Sequence, residues 1–174
     1  MTVFAERSAQ SAGSPAPDEI LRRTLRRHAA GVTVITVPGP AGFTATSFTS
    51  VSLEPALVSF CLGLSASTSA AVRSAERFAV HVLGPQNTTL ARQFARSGID
   101  RFTGADWTAE PDGLPLLDAV PAWLTARVTL RERIGDHLFV VGEVETGGSR
   151  SEEAGLVHHE GAFAAPDPLE AHRG

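Results

Sequence analysis

The chain has no lysine: all 15 of its basic residues are arginine, set against 19 acidic ones for a formal net charge of −4. A GC-rich genome explains that skew as readily as chemistry does, but the negative balance itself is informative. Proteins that hold nucleic acid gather positive charge on one face, so no nucleic-acid partner is expected. Cysteine is almost absent as well, with one residue, Cys61. It cannot form an internal disulfide, and no cysteine and histidine cluster surrounds it, which argues against a structural zinc or any other metal centre. It reads as a small buried apolar residue. No stretch reaches the roughly 18 consecutive apolar residues of a membrane span, and Met1–Pro17 lacks the basic-then-apolar order of a secretory signal. The expectation is a cytoplasmic protein with no membrane contact. Also missing are G-x-G-x-x-G, G-x-x-x-x-G-K-[ST] and G-x-S-x-G, so a nucleotide must be held some other way and a serine hydrolase has no local support.

What is present suits one domain, since 174 residues at 43% hydrophobic content can bury a single core. Residues 1–17 read as a disordered leader, 18–163 as the folded domain and 164–174 as a flexible tail. Asp18 is a candidate N-cap for an amphipathic helix carrying Leu21, Leu25, His28 and Ala29, with His28 at the border of the core and Gly31 as the stop. The texture then turns β-branched. Val32, Val34 and Thr36 alternate with Thr33, Ile35 and Val37, a turn follows at Pro38–Gly42, and Phe43–Ser52 and Ala56–Leu62 continue as extended runs. Further helices are predicted at Ser65–Ala75 and Thr88–Ala95, and strands at Phe78–Leu83, Ala122–Arg133, His137–Thr146 and Leu156–Phe163. Strands dominate without regular strand–helix alternation, so the fold class is mainly β with appended helices, an antiparallel barrel.

Four segments could carry chemistry. Thr46–Ser52 packs five hydroxyl residues into seven positions, which suits a planar heteroaromatic edge or, equally, threonines facing water. Ser65–Ser69 stands at an expected helix start, where amides and hydroxyls make a phosphate seat or an ordinary cap. Asp100–Gly104 could flank a cofactor or be a loop anchored by Trp107. His137, after Gly135-Asp136 at a hairpin tip, could orient a substrate or simply be exposed. His158 and His159 point to opposite faces of a strand and cannot readily share a metal.

Taken in order, Arg26–Thr36, Thr44–Leu53, Ser67-Thr68, Phe78–Leu83, Arg101–Gly104, Trp107, Trp123-Leu124, Gly135–His137 and Gly142–Val144 resemble the flavin reductase-like split-barrel family. Its members include reductase components of two-component flavin-dependent monooxygenases. The resemblance spans Ile20 to Phe163. It implies a homodimer of split β-barrels that transfers hydride from NADH, or NADPH, to FAD or FMN and supplies reduced flavin to a partner monooxygenase. By position, Thr44, Ala45, Thr46 and Ser47 look like the strand edging the flavin ring, and Ser50, Val51 and Ser52 lie by its ribityl chain. Ser67 and Thr68 look like the phosphate seat, Arg101 and Phe102 like groove residues, His137 like the nicotinamide contact and Phe163 like the closing aromatic. Three positions depart from the family: Thr46 replaces a common asparagine, His158 a common tyrosine, and Leu64–Ala66 carry no basic residue before the phosphate hydroxyls. Weak phosphate neutralisation suits a flavin that exchanges. The rival readings are a pyridoxamine phosphate oxidase-like FMN enzyme and a flavin carrier or sensor without turnover.

Overall fold

The computed structural model describes residues 15–167, so most of the expected leader and most of the expected tail lie outside the described residues. Helix α1 (Pro17–Arg26) is followed by strands β1 (Ala30–Gly31), β2 (Thr33–Val37), β3 (Ala41–Ala45), β4 (Thr49–Leu53) and β5 (Ala56–Gly63). Then come α2 (Ser69–Ser74), β6 (Arg77–Val82), α3 (Thr88–Ala95) and a small hairpin, β7 (Trp107–Ala109) and β8 (Pro115–Leu117). The long arms β9 (Ala122–Ile134) and β10 (His137–Ser149) precede a last hairpin, β11 (Val157–His159) and β12 (Ala162–Ala164).

Seven strands form one antiparallel sheet in the order β3-β2-β6-β9-β10-β5-β4. Its two edges, β3 and β4, are consecutive in the chain and joined only through Thr46, Ser47 and Phe48. A flat sheet of this width would hold its edges about 29 Å apart, whereas that link reaches at most about 14 Å. The sheet must therefore curl until its edges come within that reach at this corner, in keeping with the expected split barrel, although β3 and β4 do not pair with each other. β11 pairs with β1 and with β12 in a separate three-stranded sheet.

All five residues of β2 are buried, because hydrophobic material covers both of its faces. On one side Ile35 and Val37 join Phe43, Phe60, Phe78 and Val140; on the other Val32 and Val34 join Leu83, Phe94, Phe102 and Leu117. The alternation read from Val32 to Val37 thus sorts residues between two cores. Packing is close enough to require glycine at two points. A Cβ at Gly142 would fall 2.4 Å from the Phe78 ring, and one at Gly42 would fall 2.8 Å from the Phe94 ring.

Several elements differ from expectation. Helix α1 starts at Pro17 with Ala16 as N-cap, while Asp18 instead pairs with Arg22 at 2.7 Å. Its apolar face has no cover among the described residues: Ile20, Leu21 and Leu25 are 49%, 58% and 54% exposed, and His28 is exposed too. The run Phe43–Ser52 breaks at the barrel corner, a tertiary demand that β-propensity does not encode. Helix α2 is six residues long, because Ser65–Thr68 form turns instead, with Ala66 N–H bonded to Gly63 O and Ser69 N–H to Ala66 O. The expected strand Leu156–Phe163 is split by a turn at Glu160 and Gly161, both with positive φ. The β7–β8 hairpin occupies what reads as a loop, and Arg77 ties it to the sheet through Glu110, Asp112 and Glu145.

His81 is fully buried where β2, β6 and β8 meet: Nδ1–H donates to Val34 O (3.1 Å) and Nε2 accepts from Leu117 N–H (3.0 Å). Burial lowers its pKa from 6.5 to about 4. The unfolded chain protonates this imidazole at a higher pH than the folded one. Stability from it is therefore complete above pH 6.5 and is lost as pH falls toward 4, by about 3 kcal/mol in all. Urea unfolding across that window should show this slope in the native protein, and His81→Gln should flatten it.

Candidate functional site

Arg101 is the centre of the most developed site. It is 9% exposed, and its guanidinium donates to three neutral oxygens: Nε to Arg96 O (2.6 Å), Nη1 to Gly42 O (2.9 Å) and Nη2 to Ser67 Oγ (3.1 Å). It thereby joins the end of α3, strand β3 and the loop before α2. Gln93 of α3 holds the backbone on either side, donating to Arg101 O (2.7 Å) and Thr103 O (2.9 Å). The neighbouring Asp100 turns to the Phe102 amide (2.9 Å) and the Thr103 hydroxyl (2.8 Å), which hold its carboxyl below the usual range. Burial lowers the Arg101 pKa with no ion pair opposing it.

A cavity of about 280 Å³ opens beside this cation, lined by Gly42, Ser67, Thr68 and Arg101 among others. Thr68 Oγ1 is buried and has no hydrogen-bond partner. A buried donor without an acceptor and a buried cation without an anion among the described residues are each costly to keep. The six-residue α2 adds little dipole, so the expected helix start at Ser65–Ser69 offers less to an anion than the sequence suggested.

The strand read as the ring edge has less freedom than its composition suggests. Thr44 Oγ1 donates to Ala91 O (2.7 Å), and Ala45 is buried with its carbonyl accepting from Thr33 Oγ1 (3.2 Å). Ser47 Oγ bonds Cys61 in both directions, accepting from its N–H and donating to its carbonyl, each at 3.0 Å. Thr46 is exposed. These residues can offer backbone atoms and the Thr46 side chain to a ring; the Thr44 and Ser47 hydroxyls are already engaged.

His137 lies opposite Gly63 in the β10–β5 register, and its Nδ1–H donates to Asp136 Oδ1 at 2.7 Å. The side chain is half exposed. That bond leaves Nε2 available and holds the Asp136 carboxyl below its usual range. Asp136 O accepts from Leu64 N–H (2.9 Å), which fastens the hairpin tip to the loop leading into Ser67 and Thr68.

Not every predicted position comes together within one chain. Ser50 pairs with Val58 and Ser52 with Leu57 on the edge strand, with Val51 in a bulge between them. Val58 is five residues along β5 from Gly63, about 16 Å. Phe102 lines the cavity, but its ring is core, packed edge-on against Phe94 (5.1 Å) and Trp107 (5.2 Å). Phe163 sits in the separate sheet against His158 (5.9 Å), with the Arg92 guanidinium 5.5 Å above its ring. Sequence reading missed Gln93 and Gly42. A glutamine in a helix and a glycine beside a turn give no signal without the arginine they serve.

The family model described as "Flavin reductase like domain" matches residues 25–166. The chain belongs to the flavin reductase-like family. An NADH:FMN oxidoreductase of Rhodococcus erythropolis is 42% identical over 156 residues, covering 85% of this chain and 81% of that protein. An NADH:FAD oxidoreductase of Streptomyces globisporus C-1027, solved in complex with NAD and FAD fragments, superposes with a TM-score of 0.82 at 35% identity. That match covers 89% of this chain and 96% of the other. Nitrilotriacetate monooxygenase component B from Mycobacterium thermoresistibile gives 0.80 at 29% identity, covering 90% and 93%. Members of the flavin reductase-like family are thus similar to this chain over its whole described barrel.

Ser47 closes the corner, so Ser47→Ala should release both backbone groups of Cys61 at a cost of about 1–2 kcal/mol. For a chain of this size that lowers the thermal midpoint by about 4 °C, measurable by circular dichroism.

Proposed function

We propose that this chain is an NADH-dependent flavin reductase that acts in the cytoplasm as a homodimer and hands diffusible reduced flavin to a separate monooxygenase. The observation that carries the reading is Arg101, buried and in no ion pair among the described residues, lining one cavity with Ser67 and with Thr68, whose buried hydroxyl has no hydrogen-bond partner among them. When bound, the flavin accepts a hydride from the nicotinamide, and that exchange supplies the redox chemistry. No protein nucleophile or strong base is required. The chain's contribution is to hold donor and acceptor rings about 3–3.5 Å apart and to keep water from between them.

In this assignment Arg101, Ser67 and Thr68 hold the phosphate, the Thr44–Ser47 backbone edges the ring, and His137 positions the nicotinamide through Nε2. Phe102 backs the groove. Two bare surfaces support the dimer. Helix α1 presents Ile20, Leu21 and Leu25, while β4, β9 and its turn present Val51, Leu53, Leu130 and Ile134, the last four 43–87% exposed. Val51 lies on the second of these surfaces, so a second copy laid over it covers Ser50, Val51 and Ser52. The likeness to a monooxygenase component, nitrilotriacetate monooxygenase component B, supports an oxygenase as recipient.

Mixing the protein with NADH and either flavin, and following the nicotinamide absorbance, tests the activity directly. Flavin-dependent loss of NADH is expected, and its absence would leave a carrier or sensor. Thr68→Val separates binding from folding. Removing a buried hydroxyl that lacks a partner should raise the stability of the flavin-free protein by about 1 kcal/mol, while flavin affinity falls about tenfold. Arg101→Gln should weaken flavin binding further. His137→Ala should chiefly raise the KM for NADH, and an unchanged KM with full activity removes His137 from the site.

A further inference from the structure

The head of Arg101 is gripped by three segments, and its backbone is held separately, by Gln93. That residue stands half-buried on α3, one position before Phe94. Its Nε2 donates to Arg101 O and to Thr103 O, two residues further on. A primary amide carries two N–H donors on one nitrogen, so a single side chain spans both carbonyls. The same contacts settle which way the amide points, since its oxygen turned to this side would face two more oxygens. A second link closes a ring. Nε of Arg101 donates to Arg96 O, and Arg96 N–H donates to Gln93 O at 3.2 Å. The end of α3 and the segment carrying Arg101 therefore hold each other in both directions.

That segment runs from Ile99 to Thr103 between Gly98 and Gly104, whose φ values of +74° and +73° turn the chain at each end. Glycine adopts such a conformation without a steric cost. The Phe102 ring is anchored in the core against Phe94 and Trp107, which fixes one point and leaves rotation about it. The carbonyls on either side of Phe102, tied to one amide, remove that rotation. Asp100 bonds within the segment, to Phe102 N–H and the Thr103 hydroxyl, and so shapes it without attaching it to α3. Gln93 thus fixes where the Arg101 backbone stands relative to α3. An arginine held at both ends surrenders less conformational freedom when its guanidinium meets an anion.

We propose that Gln93 is a positioning residue for the flavin site, which sets flavin affinity through the placement of Arg101 without touching the flavin itself. The inference rests on the assignment of Arg101 to the flavin phosphate and goes beyond it by naming the residue that aims it. The test is a double-mutant cycle of Gln93→Met and Arg101→Gln, read as flavin Kd from fluorescence quenching and as steady-state NADH oxidation. Methionine keeps roughly the length of glutamine and removes both donors. Alone, Gln93→Met should raise the Kd and the KM for flavin about tenfold, with kcat and the KM for NADH within about twofold of native. In the Arg101→Gln background the same change should add less than about twofold, because residues that act through one another are not additive. Gln93→Lys, which keeps N–H donors on a flexible stem, should bring flavin Kd to within about threefold of native. An unchanged Kd in Gln93→Met, or an equal factor in both backgrounds, overturns the proposal. So does a Gln93→Lys protein that binds flavin as poorly as Gln93→Met. In each of those cases a weakened Arg101→Gln still upholds the phosphate assignment, whereas an Arg101→Gln protein that binds flavin like the native one overturns both.

Discussion

A guanidinium removed from water must be given partners, and that requirement organises the whole binding end of this molecule. Arg101 meets it with three neutral oxygens from three separate segments. Hydrogen bonds offset much of the desolvation cost but leave the positive charge uncancelled. The folded chain thus carries an electrostatic deficit at one defined point. In the proposed assignment the flavin phosphate removes that deficit, so its affinity is drawn from a penalty already met during folding. The same three bonds fix the relative positions of β3, the end of α3 and the loop before α2, which makes the seat rigid before anything binds.

The second constraint is topological. Three residues join the two edges of a seven-stranded sheet, and the curl this imposes brings the corner at Thr46–Phe48 against β5. Ser47 substitutes there for a missing ladder rung by offering one hydroxyl to both backbone groups of Cys61. Because Gly63 ends the same strand and lies opposite His137, the corner and the hairpin tip keep a fixed spacing along β5. Curvature of the sheet and placement of the candidate nicotinamide contact are consequences of one short link.

How much of this could be read from letters depends on whether the cause was local. Helix α3 lies at Thr88–Ala95 as its spacing indicates, and the long hairpin turns at Gly135 and Asp136, where turn chemistry is strong. The β2 alternation was legible, though it divides two cores and not core from solvent. Long-range causes were not legible. Nothing in Phe43–Ser52 announces a corner, because what breaks the run is closure of a sheet whose other strands come up to 100 residues later. Hydroxyl-rich composition signalled a binding edge, yet Thr44 and Ser47 spend their hydroxyls on Ala91 and Cys61. Ser67 and Thr68 read as a phosphate seat from the expected helix start and from family resemblance, and Arg101 only as a groove residue; that Arg101 bonds Ser67 emerged with the guanidinium geometry. Helix α1 reads as amphipathic and is so, but its apolar stripe faces away from its own core.

Gly42 and Gly142 each stand against a phenylalanine ring at less than van der Waals distance for any added carbon. Phe94 and Phe78 are both fully buried and belong to different cores. Each glycine and its ring therefore form a volume-conserving couple, in which a methyl gained on one side has to be surrendered on the other. Evolution or design can trade within a couple but cannot edit one half alone. The fold carries two such couples, one in each core, and Gly42 of the first also offers its carbonyl to Arg101.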